Sequence, residues 1–84
     1  MRTKHRRVLE RVCALPTPSD IRWRDLEGML RACGVEIVER SGSRVGLRLG
    51  NHRMVVHRPH PRPNTGRATV RDIALFLKAA GVEP

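Results

Sequence analysis

The fold is decided by residues 44–57, which read Arg-Val-Gly-Leu-Arg-Leu-Gly-Asn-His-Arg-Met-Val-Val-His. Gly50-Asn51 in the middle of this stretch is typical of a two-residue hairpin turn, and apolar residues alternate with basic ones before it. Such a turn pairs Leu49 with His52, and each step back along the first strand matches a step forward along the second. The stretch therefore predicts an antiparallel hairpin with one apolar and one basic face. The apolar face consists of Val45, Leu47, Met54 and Val56.

The basic face of this hairpin concentrates cationic side chains. In the register set by the turn, Arg48 lies opposite Arg53 and Arg44 lies opposite His57. Like charges directly opposite each other in a sheet are unfavourable, by a few tenths to about 1 kcal/mol per pair. We expect an anion to bind this face, whereas a merely solvated strand face is the alternative interpretation.

Amphipathic helices are predicted on both sides of the hairpin. Apolar residues recur at helical spacing in residues 8–15, 23–33 and 70–80. Gly34 and Gly81 follow the second and third of these stretches, where helices commonly end in a left-handed residue. The first helix carries a basic polar face, and we expect its apolar stripe to pack on the domain rather than on a partner.

One further strand completes the predicted topology. Residues 35–39 have β-branched character and precede the turn Ser41-Gly42-Ser43. Thr69 is predicted as the N-cap of the last helix, with Asp72 three residues later. We expect an α+β fold, in which helices cover one face of a three-stranded antiparallel sheet to give a two-layer sandwich. Residues 1–18 are expected to form a helical extension, and residues 19–84 the main part of one compact domain.

The composition favours a polyanionic partner. The chain has 17 Lys and Arg against 8 Asp and Glu, a formal net charge of +9, and 15 of the cations are arginines. Nucleic acid is the usual counterpart of such an excess, because each neutralised phosphate releases a condensed counterion. Cys13 and Cys33 lie in predicted helices without a partner motif, and no apolar run resembles a signal peptide. We therefore expect a cytoplasmic protein with reduced thiols.

The histidines are candidates for acid–base chemistry or for metal binding. His57 and His60 lie three residues apart, with His52 nearby. Pro59 and Pro61 exclude the helix that would direct both rings at one ion, and no carboxylate or cysteine lies in this loop. We expect no metal site and no cofactor.

Several short motifs occur in a characteristic order. A helix in residues 24–33 ends at a glycine, a strand leads into Gly42-Ser43 and a hairpin, and Pro59-His60-Pro61 precedes a last helix that ends in Ala80-Gly81. In this order residues 22–82 resemble the HicA toxin family, whose fold is similar to a double-stranded-RNA-binding domain, with one helix, three strands and one helix. The first helix is then an extension.

The resemblance implies a toxin that cleaves messenger RNA without a cofactor and that is neutralised by a HicB antitoxin covering the active site. In the usual family pattern a catalytic histidine follows the Gly-Ser pair, but here Arg44 occupies that position. An arginine side chain stays protonated in proteins, so it cannot act as a general base.

Three interpretations remain open. In the first, His57 transfers protons beside Arg44, while Arg44, Arg48 and Arg53 hold the phosphate. In the second, His60 transfers them, and in the third the protein binds RNA without cutting it. The predicted catalytic residues are His57, Arg44 and His60, and the predicted RNA-binding residues are Ser43, Arg44, Arg48, Arg53, Arg58 and Arg62.

Overall fold

The computed structural model describes residues 1–84 and confirms the predicted element order. The helices are α1 (Thr3–Cys13), α2 (Trp23–Ala32) and α3 (Arg67–Ala79), and the strands are β1 (Glu36–Glu39), β2 (Arg44–Leu49) and β3 (His52–His57). The fold is α+β, and from α2 onward it follows the helix, three strands and helix of a double-stranded-RNA-binding-domain-like chain. None of the three helices is both long and apolar enough to cross a membrane.

The hairpin has the register that its turn predicts. The three strands form one antiparallel sheet in the order β1-β2-β3. Leu49 pairs with His52, and Arg44 pairs with His57 at the far end of the hairpin. Gly50 in the turn has φ +61°, a left-handed conformation that is unfavourable for residues with a Cβ atom and open to glycine. A two-residue turn thus fixes which side chains share each face of the sheet.

The inner face of the sheet forms the core together with α2 and α3. Of the predicted apolar face, Val45, Leu47 and Val56 are buried and Met54 is half-buried against the core. Helix α2 packs against β1 and helix α3 packs against β3, so the two helices cover this face. Each fully buried aliphatic side chain stabilises the fold by about 1.5–3 kcal/mol. The buried side chains that the helices contribute include Leu26, Met29, Leu30, Val70, Ile73 and Leu77.

The N-terminal helix α1 packs on the other helices and not on the sheet. It contacts both α2 and α3, and its Leu9 and Val12 side chains are buried in the same core. Where α1 crosses α2, a methyl group placed on Gly28 would lie 3.3 Å from Nε2 of His5. The apolar stripe of α1 therefore serves the domain itself, as expected.

The ends of α2 and α3 use the same motif. Gly34 and Gly81 have φ +87° and +84°, and the next residue donates its N–H back to the last helical turn, Val35 to Leu30 O at 3.0 Å and Val82 to Leu77 O at 2.9 Å. This 6→1 bond defines a Schellman motif. The sequence prediction of both helix ends is confirmed.

The predicted start of α3 was wrong. The helix begins at Arg67 after an extended Gly66, and no side chain caps it, so Thr69 lies inside the helix. The chain before α3 is held by distant backbone instead: Thr65 N–H donates to Ile21 O, and Trp23 N–H donates to Pro63 O, both at 2.8 Å. This pairing fixes where the helix can begin.

Candidate nucleic-acid interface

The outer face of the sheet, which no helix covers, carries three rows of side chains that run across the strands. Side chains of one face alternate along each strand, so the register of both strand pairs defines the rows. Arg40 continues the pattern beyond β1, since its N–H donates to Arg44 O at 3.0 Å. The rows are Glu36–Arg48–Arg53, Val38–Gly46–Val55 and Arg40–Arg44–His57.

Arg44 and His57 are cross-strand neighbours, as predicted, and both are exposed. The Arg44 guanidinium is held in place by Ser41, because Nη2 donates to the hydroxyl at 3.0 Å and Nε to the carbonyl at 3.4 Å. Guanidinium has five N–H donors, so most of them stay available to an incoming ligand. The imidazole of His57 makes no hydrogen bond within the protein. The pair therefore presents a fixed cation beside a free acid–base group.

Arg48 and Arg53 lie opposite each other at the hairpin end of the outer face. Both are exposed, and neither forms an ion pair. Glu36 lies beside Arg48 in the register, but no Glu36 ion pair forms. Two unneutralised guanidinium groups side by side are a suitable arrangement for an anion with several oxygens. The structure thus brings together four of the predicted residues: Arg44, Arg48, Arg53 and His57.

Arg58 points elsewhere. Its Nη2 donates to Glu39 Oε1 at 2.6 Å and to Glu27 Oε2 at 3.5 Å. The hydrogen bond and charge of Glu39 raise the pKa of Arg58 above its ordinary value. Since Glu27 belongs to α2, this side chain is turned toward the helical layer. Its backbone N–H donates to Ser43 O at 2.7 Å, so Arg58 and Ser43 together tie the end of β3 to the turn before Arg44.

His60 and Arg62 lie in the loop between β3 and α3. Both are exposed, and neither side chain makes a hydrogen bond or ion pair. The structure shows no contact that joins them to the outer face. No three His, Cys, Asp or Glu side chains lie close enough to hold a metal ion. Cys13 and Cys33 are half-buried and free, and burial raises the pKa of both thiols, which disfavours the nucleophilic thiolate.

The middle row forms a groove that the hairpin pattern alone does not reveal. The groove has a volume of about 360 Å³, and its lining includes Val38, Arg40, Gly46 and Val55 together with Arg48 and Arg53 of the neighbouring row. The residues that β1 contributes to the groove could be found in the sequence, because Glu36, Val38 and Arg40 alternate with residues that face the core. That alternation acquires meaning only once the pairing of β1 with β2 is known.

Comparison with known families decides the identity of the domain. The model of the HicA toxin of bacterial toxin–antitoxin systems matches residues 23–82. The chain belongs to the HicA toxin family. The match begins at Trp23, the first residue of α2, and ends at Val82, the residue that closes the Schellman motif of α3. In this HicA family member, α1 lies outside the matched region. No curated protein and no solved structure is significantly similar to the chain.

HicA membership makes the protein the toxin of a toxin–antitoxin system and implies an antitoxin partner. In this HicA toxin the position after Gly42-Ser43 is Arg44, the first residue of β2. Its cross-strand neighbour is the only histidine on the outer face. The imidazole of the outer face therefore lies on β3, beside Arg44.

Proposed function

We propose that this HicA toxin binds messenger RNA on the outer face of its sheet and cleaves it in the cytoplasm, without a cofactor, until a HicB-type antitoxin covers that face. The observation that carries the proposal is the row in which Arg44 lies opposite His57. An imidazole can accept the proton of a ribose hydroxyl, and a neighbouring guanidinium can stabilise the charge that develops on the phosphate.

Arg48 and Arg53 hold the RNA backbone in this proposal. Both are exposed and unpaired, so that each can donate two parallel hydrogen bonds to a phosphate. Their mutual repulsion falls when a phosphate lies between them, and counterions released from the RNA add affinity that depends on salt. These contacts position the strand but do not select a sequence.

Arg44 and His57 carry the chemistry. Neutral His57 accepts the proton of a ribose 2′-hydroxyl, and the 2′-oxygen attacks the adjacent phosphorus. The bond from phosphorus to the 5′-oxygen breaks, and that oxygen takes up a proton from the imidazolium or from water, leaving a 2′,3′-cyclic phosphate. Proton transfer by a placed histidine contributes typically 10²–10⁴-fold in rate. The Arg44 guanidinium stabilises the charge that develops on the phosphate oxygens.

The antitoxin recognises the same face. With a net charge of +9 and four arginines of the outer face outside any ion pair, the toxin attracts a partner that offers Asp and Glu side chains. Such complementarity produces fast association that slows as salt is added. A HicB-type antitoxin bound here excludes RNA by occupying its phosphate contacts.

The test compares two histidines on the same strand. His57→Ala is expected to abolish RNA cleavage and growth arrest while RNA binding stays nearly intact. His52→Ala is the matched control, because His52 begins the same strand at the turn and has the opposite side-chain parity. Purified protein is assayed on a labelled RNA and by induction in a bacterial culture. If His57→Ala still cleaves and His60→Ala does not, His60 is the proton-transfer group.

Arg44 also favours a second candidate function, RNA binding without cleavage, since the family's usual catalytic position lacks its base. The two functions are separated by Arg44→His. A cleaving toxin built around His57 cleaves RNA as wild type and cleaves it more slowly as Arg44→His, because the variant lacks the guanidinium that stabilises the developing phosphate charge. A binding module shows no cleavage in the wild-type protein, although it retains RNA at low salt.

A further inference from the structure

We propose that the groove over Gly46 is a binding site for one unpaired nucleobase, so that the toxin takes single-stranded RNA and contacts a base next to the cut. This inference rests on the proposed RNA binding and deepens it. It comes from the middle row of the outer face, Val38–Gly46–Val55, to which the proposed phosphate contacts and proton transfer assign no role.

The floor of the groove is apolar along the middle row. Gly46 offers no side chain, and the valines on both sides are 44% and 50% exposed, for Val38 and Val55. Valines standing on either side of a glycine leave a slot at the centre of the sheet, which the Arg40 side chain covers, so that Gly46 is buried. The whole groove, with Arg40 among its lining residues, has a volume of about 360 Å³, which lies within the range of small-molecule sites, about 300–1,000 Å³. The planar face of a nucleobase fits the apolar middle row, and the guanidinium groups of Arg48 and Arg53 in the same groove are left to the backbone phosphates.

Arg40 supplies the opposite side of the slot. A methyl group placed on Gly46 would lie 2.9 Å from Nε of Arg40, 3.5 Å from Nη2 and 3.6 Å from Cζ. The guanidinium therefore lies over the glycine, and no carboxylate pairs with it. Arginine planes stack on nucleobases as well as on aromatic side chains. A base enters when the flexible Arg40 side chain lifts by the thickness of one ring and then stacks on the outside of that base.

The basic rows on either side of the slot favour a nucleotide within an RNA chain over a free nucleobase. Rows of one strand face are two residues, or about 7 Å, apart. Arg48 and Arg53 lie in the row on one side of the slot, and Arg44 and His57 lie in the row on the other. Phosphates on both sides of an inserted base thus meet a guanidinium. Paired bases of an RNA duplex are not free to enter such a slot, so the occupant is a single strand.

The experiment is an abasic scan. A short single-stranded RNA is prepared with each base in turn removed, while its ribose and phosphate remain, and binding is measured at low salt. Stacking of one base on a protein surface contributes typically 1–3 kcal/mol, so one position is expected to weaken binding by about 5- to 150-fold. The other positions change little, because backbone contacts remain.

Two variants assign that position to the groove. Gly46→Val fills the slot with a side chain that suits an outward strand position, and Arg40→Lys keeps the charge but removes the stacking plane. In both variants, removal of the base at that position is expected to weaken binding no more than removal of any other base. Arg71→Lys, on the exposed side of α3, is the control and is expected to keep the wild-type pattern. Circular dichroism and thermal unfolding verify that each variant is folded.

The outcomes separate the groove from the proposed function. If the wild-type protein binds RNA but the scan is flat, or if both variants keep the sensitive position, the base site is wrong while RNA binding stands. If duplex RNA binds more tightly than the single strand, the substrate class is wrong. If the wild-type protein binds no RNA at low salt, both proposals are overturned.

Discussion

The two sides of the sheet differ in how their charged residues are partnered. On the helical side and in the loops beside it, Asp and Glu neutralise basic side chains. The outer face has Glu36 as its only carboxylate, and Glu36 forms no ion pair. The chain has 17 basic side chains and only 8 acidic ones, so the positions of the acidic side chains determine which surface remains positively charged. The ion pairs are Lys4–Asp25, Arg11–Asp20, Arg31–Glu27, Arg58–Glu27 and Arg58–Glu39.

This distribution separates stability from binding within a single strand. Neighbouring residues of β2 project to opposite faces, so one contributes to the core and the next to the proposed RNA surface. Surface charges placed for a ligand add little to stability and reduce it where they repel each other. We therefore expect substitutions on the two faces to change different measurements.

The largest expected effect contrasts Leu47→Ala with Arg48→Ala. Leu47 is 1% exposed, and its truncation leaves a cavity that lowers the free energy of unfolding by about 2–5 kcal/mol. Arg48 is exposed on the other face, so its truncation changes stability by no more than about 0.5 kcal/mol but weakens RNA binding. Urea unfolding and RNA titration measure both quantities. Comparable destabilisation by the two variants would contradict the proposed division between the faces.

The second prediction concerns the double variant Arg48→Gln with Arg53→Gln. Removing a like-charged cross-strand pair is expected to raise the free energy of unfolding by about 0.2–1 kcal/mol. Two lost phosphate contacts reduce the slope of log K against log salt by about 1.4 for a single-stranded RNA. Arg7→Gln with Arg71→Gln removes the same charge from exposed positions on α1 and α3. An equal decrease of the salt slope in that control would show that RNA binding depends on the net charge of the protein and not on the position of Arg48 and Arg53.

The outer face was predictable because its determinants are local. Gly50-Asn51 fixes the hairpin register, and the register then determines which side Arg44, Arg48, Arg53 and His57 occupy. A one-residue slip would bury arginines, so the alternation of the sequence admits one pairing.

The features that sequence reasoning missed depend on distant contacts. Arg58 follows the hairpin directly, yet its partners Glu39 and Glu27 lie 19 and 31 residues away in the chain. Arg40 covers Gly46 only because β1 pairs with β2. The start of α3 is set by backbone pairing with Ile21 and not by the capping pattern at its first turn. Local patterns carry no information about such partners.

Arg58→Gln gives the third, smaller effect. The variant loses both ion pairs of a side chain that is 38% exposed, and a partly solvated pair contributes at most about 1 kcal/mol. We expect a decrease of that size in unfolding free energy, with RNA affinity and growth arrest nearly unchanged. Arg53→Gln is the control on the outer face, where the opposite pattern is expected. If Arg58→Gln weakens RNA binding as strongly as Arg53→Gln does, Arg58 belongs to the RNA surface after all.

The smallest effect is the pH dependence of the Arg11–Asp20 pair. The hydrogen bond and charge of Arg11 lower the pKa of the Asp20 carboxyl below its ordinary value of 3.8. A carboxyl whose pKa is lower in the folded state stabilises the fold above its unfolded pKa, and that contribution is lost as the pH falls through the folded value. Because both side chains are solvated, salt weakens their attraction.

Asp20→Asn isolates this contribution. We expect wild type to unfold at a slightly higher urea concentration than the variant at pH 7, and the difference to shrink as the pH falls below about 3.8, the ordinary aspartate value. Adding salt at pH 7 is expected to shrink it as well. Asp72→Asn, on an exposed acid outside the ion pairs, is the control. A difference that persisted at low pH would show that Asp20 stabilises the fold through a contact other than its charge on Arg11.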